Sequence, residues 1–253
     1  DARNPEQQKK SEPVMIGLSA TPFRSDEDES KRLAKRFNSK WLPENQDKLH
    51  RRLREMGVLS RTESESLESG VGLEPDELSR LEELFSEPDG LELENFIESI
   101  NQRLGNDQNR NSAIVEYLKR STGRAILFFA NSVDHSAEIA ARLNLMGIPA
   151  ASISSETPRS ARRYFLERFQ NGDIRVLCNH SILTTGFDAP KTDLVFISRN
   201  VFSAVRYMQM VGRGLRGEQN GGTQHCKIVT VIDNLGRFQG KHPYEFCKRY
   251  FVS

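Results

Sequence analysis

The feature that most constrains this chain is a change of hydrophobic rhythm near residue 110. From there to the end, short continuous apolar runs alternate with stretches whose apolar residues recur at helical spacing. Ala125–Ala130 (AILFFA) is apolar throughout, as a strand covered on both faces must be. Ser136–Leu145 then follows helical periodicity, and Ala150–Ile153 is a short strand. Ala161–Phe169 reads as a helix with Tyr164, Phe165 and Phe169 facing inward. Arg175–Cys178 and Asp193–Ser198 are strands, Ser203–Val211 a helix, and Cys226–Asp233 a last strand. Strands alternating with helices predict an α/β fold, a parallel sheet flanked by helices with right-handed crossovers. Ligands of such sheets bind in the loops beyond the strand C-termini, where the motifs of this chain are expected to lie.

Two other segments precede this one. In residues 1–24, the run Val14–Leu18 leads through Ser19-Ala20-Thr21-Pro22 into Phe23-Arg24, a buried strand entering a loop. Lying so near the start, behind a polar leader, it is expected to be the end of a preceding domain. Residues 25–110 read as a helical insertion. Leu49, Leu53 and Met56 share one helical face. Pro75-Asp76-Glu77-Leu78 has the acids of a helix first turn, and Leu78, Leu81, Leu84 and Phe85 continue an apolar stripe. Leu91–Leu104 gives a further helix, the Ser/Glu-rich stretch Arg61–Gly70 reads as loop, and Trp41 and Pro43 are expected to anchor the insertion.

Charge separates the halves. Residues 1–110 carry 17 Lys+Arg against 24 Asp+Glu, and residues 111–253 carry 19 against 11. The second half is the better partner for a polyanion. The acidic insertion is expected to meet a protein or a neighbouring domain rather than DNA. No apolar run approaches the roughly 18 residues of a membrane span, and the polar start carries no signal-peptide pattern, so a cytoplasmic protein without a membrane partner is expected. The three cysteines are widely spaced with no CxxC pair. Cys178 and Cys226 read as small core residues, and no metal site is expected. His180 and His225 lack a partner at ligand spacing.

Gln209-Met210-Val211-Gly212-Arg213-Gly214-Leu215-Arg216 is the strongest local signal. Gln209, Arg213 and Arg216 fall at i, i+4 and i+7, which a helix would align on one face. Gly212 and Gly214 leave room for close backbone approach, and two guanidinium forks on one edge can grip phosphate oxygens. Thr184-Thr185-Gly186-Phe187-Asp188-Ala189-Pro190 follows a strand and offers hydroxyls and backbone N–H groups to a phosphate, with Asp188 able to accept from a sugar or position an arginine.

Taken in order, these residues resemble the motifs of superfamily-2 helicases. Ser19-Ala20-Thr21 looks like motif III, Ala125–Ser132 like motif IV, Leu183–Pro190 like motif V, and Gln209–Arg216 like the QxxGRxxR form of motif VI. The resemblance covers residues 14–24 and 111–235 and leaves the insertion unassigned. It implies that 111–253 is the second, C-terminal RecA-like domain of a P-loop NTPase-type motor and that 1–24 ends the first. It further implies ATP with Mg²⁺ between the two domains. By the resemblance Arg213 and Arg216 are catalytic arginine fingers. Gln209, Gly186 and Asp188 lie at the nucleotide, and Ser19, Thr21, Thr184 and Thr185 couple to nucleic acid. There is no GxxxxGK[ST] and no DEAD or DExH box, so this chain alone is expected not to hydrolyse ATP. His180 stands where RNA-acting members often have a threonine, and motif VI opens with Gln209 rather than His-Arg. LSATPFR, TTGFDAP and QMVGRGLRG look most like DNA-acting members. An RNA helicase, or a binding module without catalysis, are the other readings.

Overall fold

A computed structural model describes residues 27–36, 46–86, 90–180 and 189–233. In chain order the elements are α1 (Glu27–Arg36), α2 (Gln46–Glu55), β1 (Arg61–Glu68), α3 (Pro75–Ser86), α4 (Gly90–Gly105), α5 (Gln108–Arg120), β2 (Ile126–Phe129), α6 (Val133–Leu145), β3 (Ala150–Ile153), α7 (Arg159–Asn171), β4 (Val176–Asn179), β5 (Leu194–Ile197), α8 (Ala204–Val211) and β6 (His225–Ile232), with a short 3₁₀ turn at Glu218–Asn220. Helix α1 belongs to a compact unit, Asp1–Glu44, and the remaining elements to a second, Asn45–Ser253.

The second unit is built on one six-stranded sheet, ordered β1-β6-β5-β2-β4-β3, with every pairing parallel. Its central strands are the continuous apolar runs, and the two-residue repeat of a strand sorts their side chains into two cores. Leu127, Phe129, Leu177, Val195, Ile197 and Ile228 point to the face covered by α7 and α8, where Phe169, Tyr207, Met210 and Val211 close the layer. Ile126, Phe128, Val176, Cys178, Phe196 and Val229 point to the other face, against Ile114 and Leu118 of α5 and Ile139 and Leu143 of α6. This is the helix-flanked parallel α/β sheet that the sequence predicts. Two expected contacts are corrected. Tyr164 is half-exposed rather than inward, carrying Arg168 over its ring, while Phe165 and Phe169 do pack on the core. Met56 lies past the end of α2 and is also half-exposed.

The stretch expected to be a loop, Arg61–Gly70, supplies an edge strand instead. Strand β1 pairs with β6 along its whole length, from Arg61↔His225 to Glu68↔Ile232. Its sequence, RTESESLE, has one apolar residue, so it shows none of the apolar rhythm of a buried strand. At a sheet edge that polarity is tolerated, and charge there discourages pairing with another chain. Glu65 accepts from Lys227 Nζ and Tyr117 Oη, each at 2.8 Å, and the bond from Lys227 chiefly holds its carboxyl below the usual range. Leu67 packs against the α5 face of the core.

Helices α3 and α4 form a smaller core of Leu81, Ile100 and Leu104, flanked by Phe85, Phe96 and Ile97. Phe85 meets Phe202 edge-on, with ring centroids 5.2 Å apart, which ties this pair to the segment ahead of α8.

The C-terminal ends of four strands converge on one fully buried ion pair. Arg110, on α5, donates from Nε to Asp233 Oδ1 at 2.7 Å and from Nη2 to Asp233 Oδ2 at 2.9 Å. Its Nη1 reaches Ser198 Oγ at 3.0 Å, and Ser69 Oγ donates to Asp233 Oδ1 at 2.8 Å. Ser198 Oγ donates to Asn131 Oδ1 at 2.7 Å. Asn101 of α4 extends the network, accepting from Asn200 N at 2.7 Å and donating to Asn200 O at 3.1 Å. Removing one partner of a buried, hydrogen-bonded pair leaves the other charge desolvated, at a cost of about 3–5 kcal/mol. Arg110→Ala is therefore expected to lower the unfolding free energy in urea by about that amount, and Arg110→Met with Asp233→Leu to recover much of it. A loss below about 1 kcal/mol for the single variant would show that the pair is not a keystone.

Candidate functional site

The Gln209–Arg216 motif does not lie along one helix. Ser203 caps α8 at its start, its Oγ accepting from Arg206 N, and Tyr207 Oη is 3.0 Å from Thr230 Oγ1 on β6. The helix ends at Val211, with Gly212 N donating to Met208 O. Gln209 is half-buried in the last turn. Arg213 and Arg216 lie beyond it, so the expected alignment of all three on a helical face is not formed. The reason is the packing of Gly214. A Cβ there would lie 2.3 Å from Cys226 Sγ and 2.7 Å from Val195 Cγ2, so only glycine lets the backbone press onto β5 and β6. The chain leaves the helix to make that approach, through a turn in which Arg213 N donates to Met210 O and Gly214 N to Val211 O.

The next residues are pinned to the lead-in of β1. Leu59 and Arg216 form an antiparallel bridge, Ser60 N donates to Leu215 O at 3.0 Å, and Ser60 Oγ donates to Arg216 O at 2.6 Å. A Cβ on Gly217 would sit 2.1 Å from Gly57 O. Cys226 is near the start of β6, and Ser60 immediately precedes β1. Arg213 and Arg216 thus stand at the N-terminal edge of the sheet, not beyond the strand C-termini where the motifs were expected. Their side chains are half-buried on a turn whose backbone has little freedom.

The opposite edge holds a cluster that periodicity did not single out. His180 follows β4 and Arg199 follows β5. Glu98 of α4 reaches both, with Oε1 3.2 Å from His180 Nε2 and Oε2 2.8 Å from Arg199 Nη2. One turn earlier, Glu94 pairs with Arg206 of α8. The hydrogen bond with His180 chiefly holds the Glu98 carboxyl below its ordinary range, assisted by the charge of Arg199 against the opposing effect of burial. Burial lowers the Arg199 guanidinium. Glu94 and Glu98 at i, i+4 were visible as a helical pair, but nothing in the sequence links them to residues about 100 positions later. Nearby, His135 is buried, accepts from Asn131 N through Nδ1 at 3.1 Å, and is pushed by desolvation to a pKa of about 3, so it is a neutral structural imidazole.

Ser19, Thr21, Thr184, Thr185, Gly186 and Asp188 lie outside the described residues, as do Val14–Ala20, Trp41 and Pro43. Cys178 and Cys226 are buried free thiols, their pKa values raised by desolvation. Among the described residues no three His, Cys, Asp or Glu side chains are grouped to hold a metal, and no helix is long and apolar enough to cross a membrane.

Residues 109–218 match the helicase conserved C-terminal domain family. A 51.5 kDa protein of a Lactococcus phage (isolate 7-9) is 32% identical over 122 residues, 48% of this chain and 26% of that one. The putative ATP-dependent helicase IRC3 of Saccharomyces cerevisiae is 35% identical over 86 residues, 34% of this chain and 12% of the yeast protein. The ATP-dependent rRNA helicase RRP3 of Debaryomyces hansenii is 23% identical over 140 residues, 55% and 28% of the two chains. Among solved structures, the fragment of a putative HsdR subunit of a type I restriction enzyme from Vibrio vulnificus YJ016 is 19% identical with a TM-score of 0.48, over 72% of this chain and 33% of that chain. The matches span 28% or less of each of these three relatives. The matched stretch runs from the first turn of α5 through the Gln209–Arg216 turn, so strands β2 to β5 and the arginine turn fall inside the similarity to helicase C-terminal domains.

Proposed function

We propose that the chain is the C-terminal motor domain of an ATP-dependent DNA helicase or translocase, working in the cytoplasm against a first RecA-like domain. The observation that carries this reading is the Arg213–Arg216 turn, clamped onto β5 and β6 by Gly214 and lying inside the family match. Arginines held on a stiff backbone can be aimed at charge that develops only in the transition state of phosphoryl transfer, an effect worth about 10³–10⁵ in rate. In this reading Arg213 and Arg216 reach across the domain cleft to the terminal phosphate of the substrate ATP. Gln209, Gly186 and Asp188 face the nucleotide. Thr184 and Thr185 contact the strand backbone, and Ser19 and Thr21 couple ATP state to that grip. In this reading Mg²⁺ is held, with the phosphates of ATP, mainly by the first domain. Residues 1–24 are then the end of that first domain, 25–110 an insertion and 111–253 the second domain, with α5 of the conserved domain reached already at Gln108.

DNA is preferred over RNA because LSATPFR, TTGFDAP and QMVGRGLRG resemble DNA-acting members of the superfamily. The similarity to an rRNA helicase favours RNA as the second reading. Comparing ATPase stimulation by DNA and by RNA separates them.

Two outcomes are expected. The 253-residue chain, lacking GxxxxGK[ST], should release no phosphate from ATP even with nucleic acid present, and stimulated release would sink the two-domain reading. In a protein that joins this domain to its phosphate-binding partner, Arg213→Ala should cut kcat by about 10³, roughly 4 kcal/mol, while nucleic-acid affinity barely changes. Arg213→Lys should restore little, because an ammonium lacks the planar fork. Near-normal kcat at saturating DNA with weakened binding would move Arg213 from the nucleotide to the strand.

A further inference from the structure

At the C-terminal edge of the sheet the fold gathers an imidazole and two guanidinium groups from three elements: His180 after β4, Arg199 after β5, and Arg206 in the first turn of α8. Burial disfavours the Arg199 charge, and Arg206 is close enough to disfavour it further. Such a group persists only beside an anion. The anions present come from one face of α4. Glu98 divides its two carboxylate oxygens between His180 and Arg199, and Glu94 takes Arg206. Two oxygens of one anion bridging two N–H donors is also how the non-bridging oxygens of a phosphodiester are held, with a neighbouring phosphate serving the second guanidinium.

We propose that His180, Arg199 and Arg206 form a nucleic-acid phosphate site, and that Glu94 and Glu98 of α4 occupy it as an internal competitor. The inference rests on the reading of nucleic acid as the partner. Three features support it. The site lies beyond the strand C-termini, where parallel sheets present ligands, and His180 stands just ahead of the Thr184–Pro190 motif. The competitor comes from the acidic half of the sequence and the cations from the basic half. Finally, Glu94 and Glu98 are 51% and 47% exposed, so their side chains can swing to solvent without moving the helix. The helix itself stays anchored by Ile100, Leu104 and the bonds of Asn101 to Asn200. Nucleic acid then has to displace two carboxylates to bind, which sets a threshold on engagement.

The test is fluorescence-anisotropy titration of the full 253-residue chain with labelled single-stranded DNA and RNA oligonucleotides over a series of salt concentrations. Glu94→Gln with Glu98→Gln should tighten binding roughly tenfold at low salt and steepen the log–log salt slope by about 1–2, since each added phosphate contact contributes about 0.7–0.9. The control is Glu116→Gln with Glu167→Gln, which removes the same charge from two exposed carboxylates that pair within their own helices, with Arg120 of α5 and Arg163 of α7. It should change affinity by less than about twofold. Adding Arg206→Gln to the first pair should take back part of the gain. Equal effects of the two double variants, or no effect of either, would overturn the competitor while the nucleic-acid reading stands on the wild-type affinity. No binding of DNA or RNA by any of the proteins at low salt would overturn both. Should the Glu98 change impair folding, Glu94→Gln alone, facing the half-exposed Arg206, should still gain about two- to threefold, and no gain would count against the proposal.

Discussion

Everything at the C-terminal edge of the sheet is organised by the ion pair of Arg110 and Asp233. Both side chains are fully buried, and all five N–H groups of the guanidinium lie in a space that water does not reach. Desolvating two charges is unfavourable unless every lone pair and proton finds a partner. The surrounding residues meet that demand from separate elements: Ser69 after β1, Asn131 after β2, Ser198 and Asn200 after β5, Asp233 after β6. Those contacts require the four strands to end at one level. They also require α4 and α5 to lie where Asn101 and Arg110 can enter. The acidic helix pair is thereby joined to the conserved domain by geometry that tolerates little slippage.

The two edges of the sheet divide the work. At the strand starts, Gly214 and Gly217 bring the arginine turn into contact with β5, β6 and the lead-in to β1, so Arg213 and Arg216 are carried on a braced backbone. That suits groups whose value in phosphoryl transfer depends on position. At the strand ends, the buried Arg199, the mostly buried His180 and the half-exposed Arg206 are met by half-exposed carboxylates on long side chains, an arrangement that can be exchanged. In the proposed reading, the braced edge faces a nucleotide and the exchangeable edge a nucleic-acid strand.

The central strands were legible because burial on both faces forces runs such as AILFFA, and the helices between them because one face must stay apolar. Strand β1 was not legible. As an edge strand beside α5 it needs only Leu67 in the core, and its Glu65 is matched by Lys227 and Tyr117, which the sequence places far away. The Arg110–Asp233 pair spans 123 positions and has no local signature. The motif at Gln209–Arg216 was found, but its shape was misjudged. Helical spacing accounts for Gln209, and the turn that follows is decided by contacts of Gly214 with Val195 and Cys226, which only the folded sheet brings together. Tyr164 was taken as inward on hydrophobicity alone, whereas its position on α7 faces solvent.

The central claim is that strand β1, ahead of the conserved stretch, is part of the sheet and not an appendage to it. Native-state hydrogen exchange across a urea series tests this most directly. If the Arg110–Asp233 network joins the two, the β1 amides that face β6, within Arg61–Glu68, should exchange through the same opening as those of Val229–Val231, with free energies that converge on the global value. Rapid exchange of β1 at low urea, while β6 and β5 stay protected, would contradict the account.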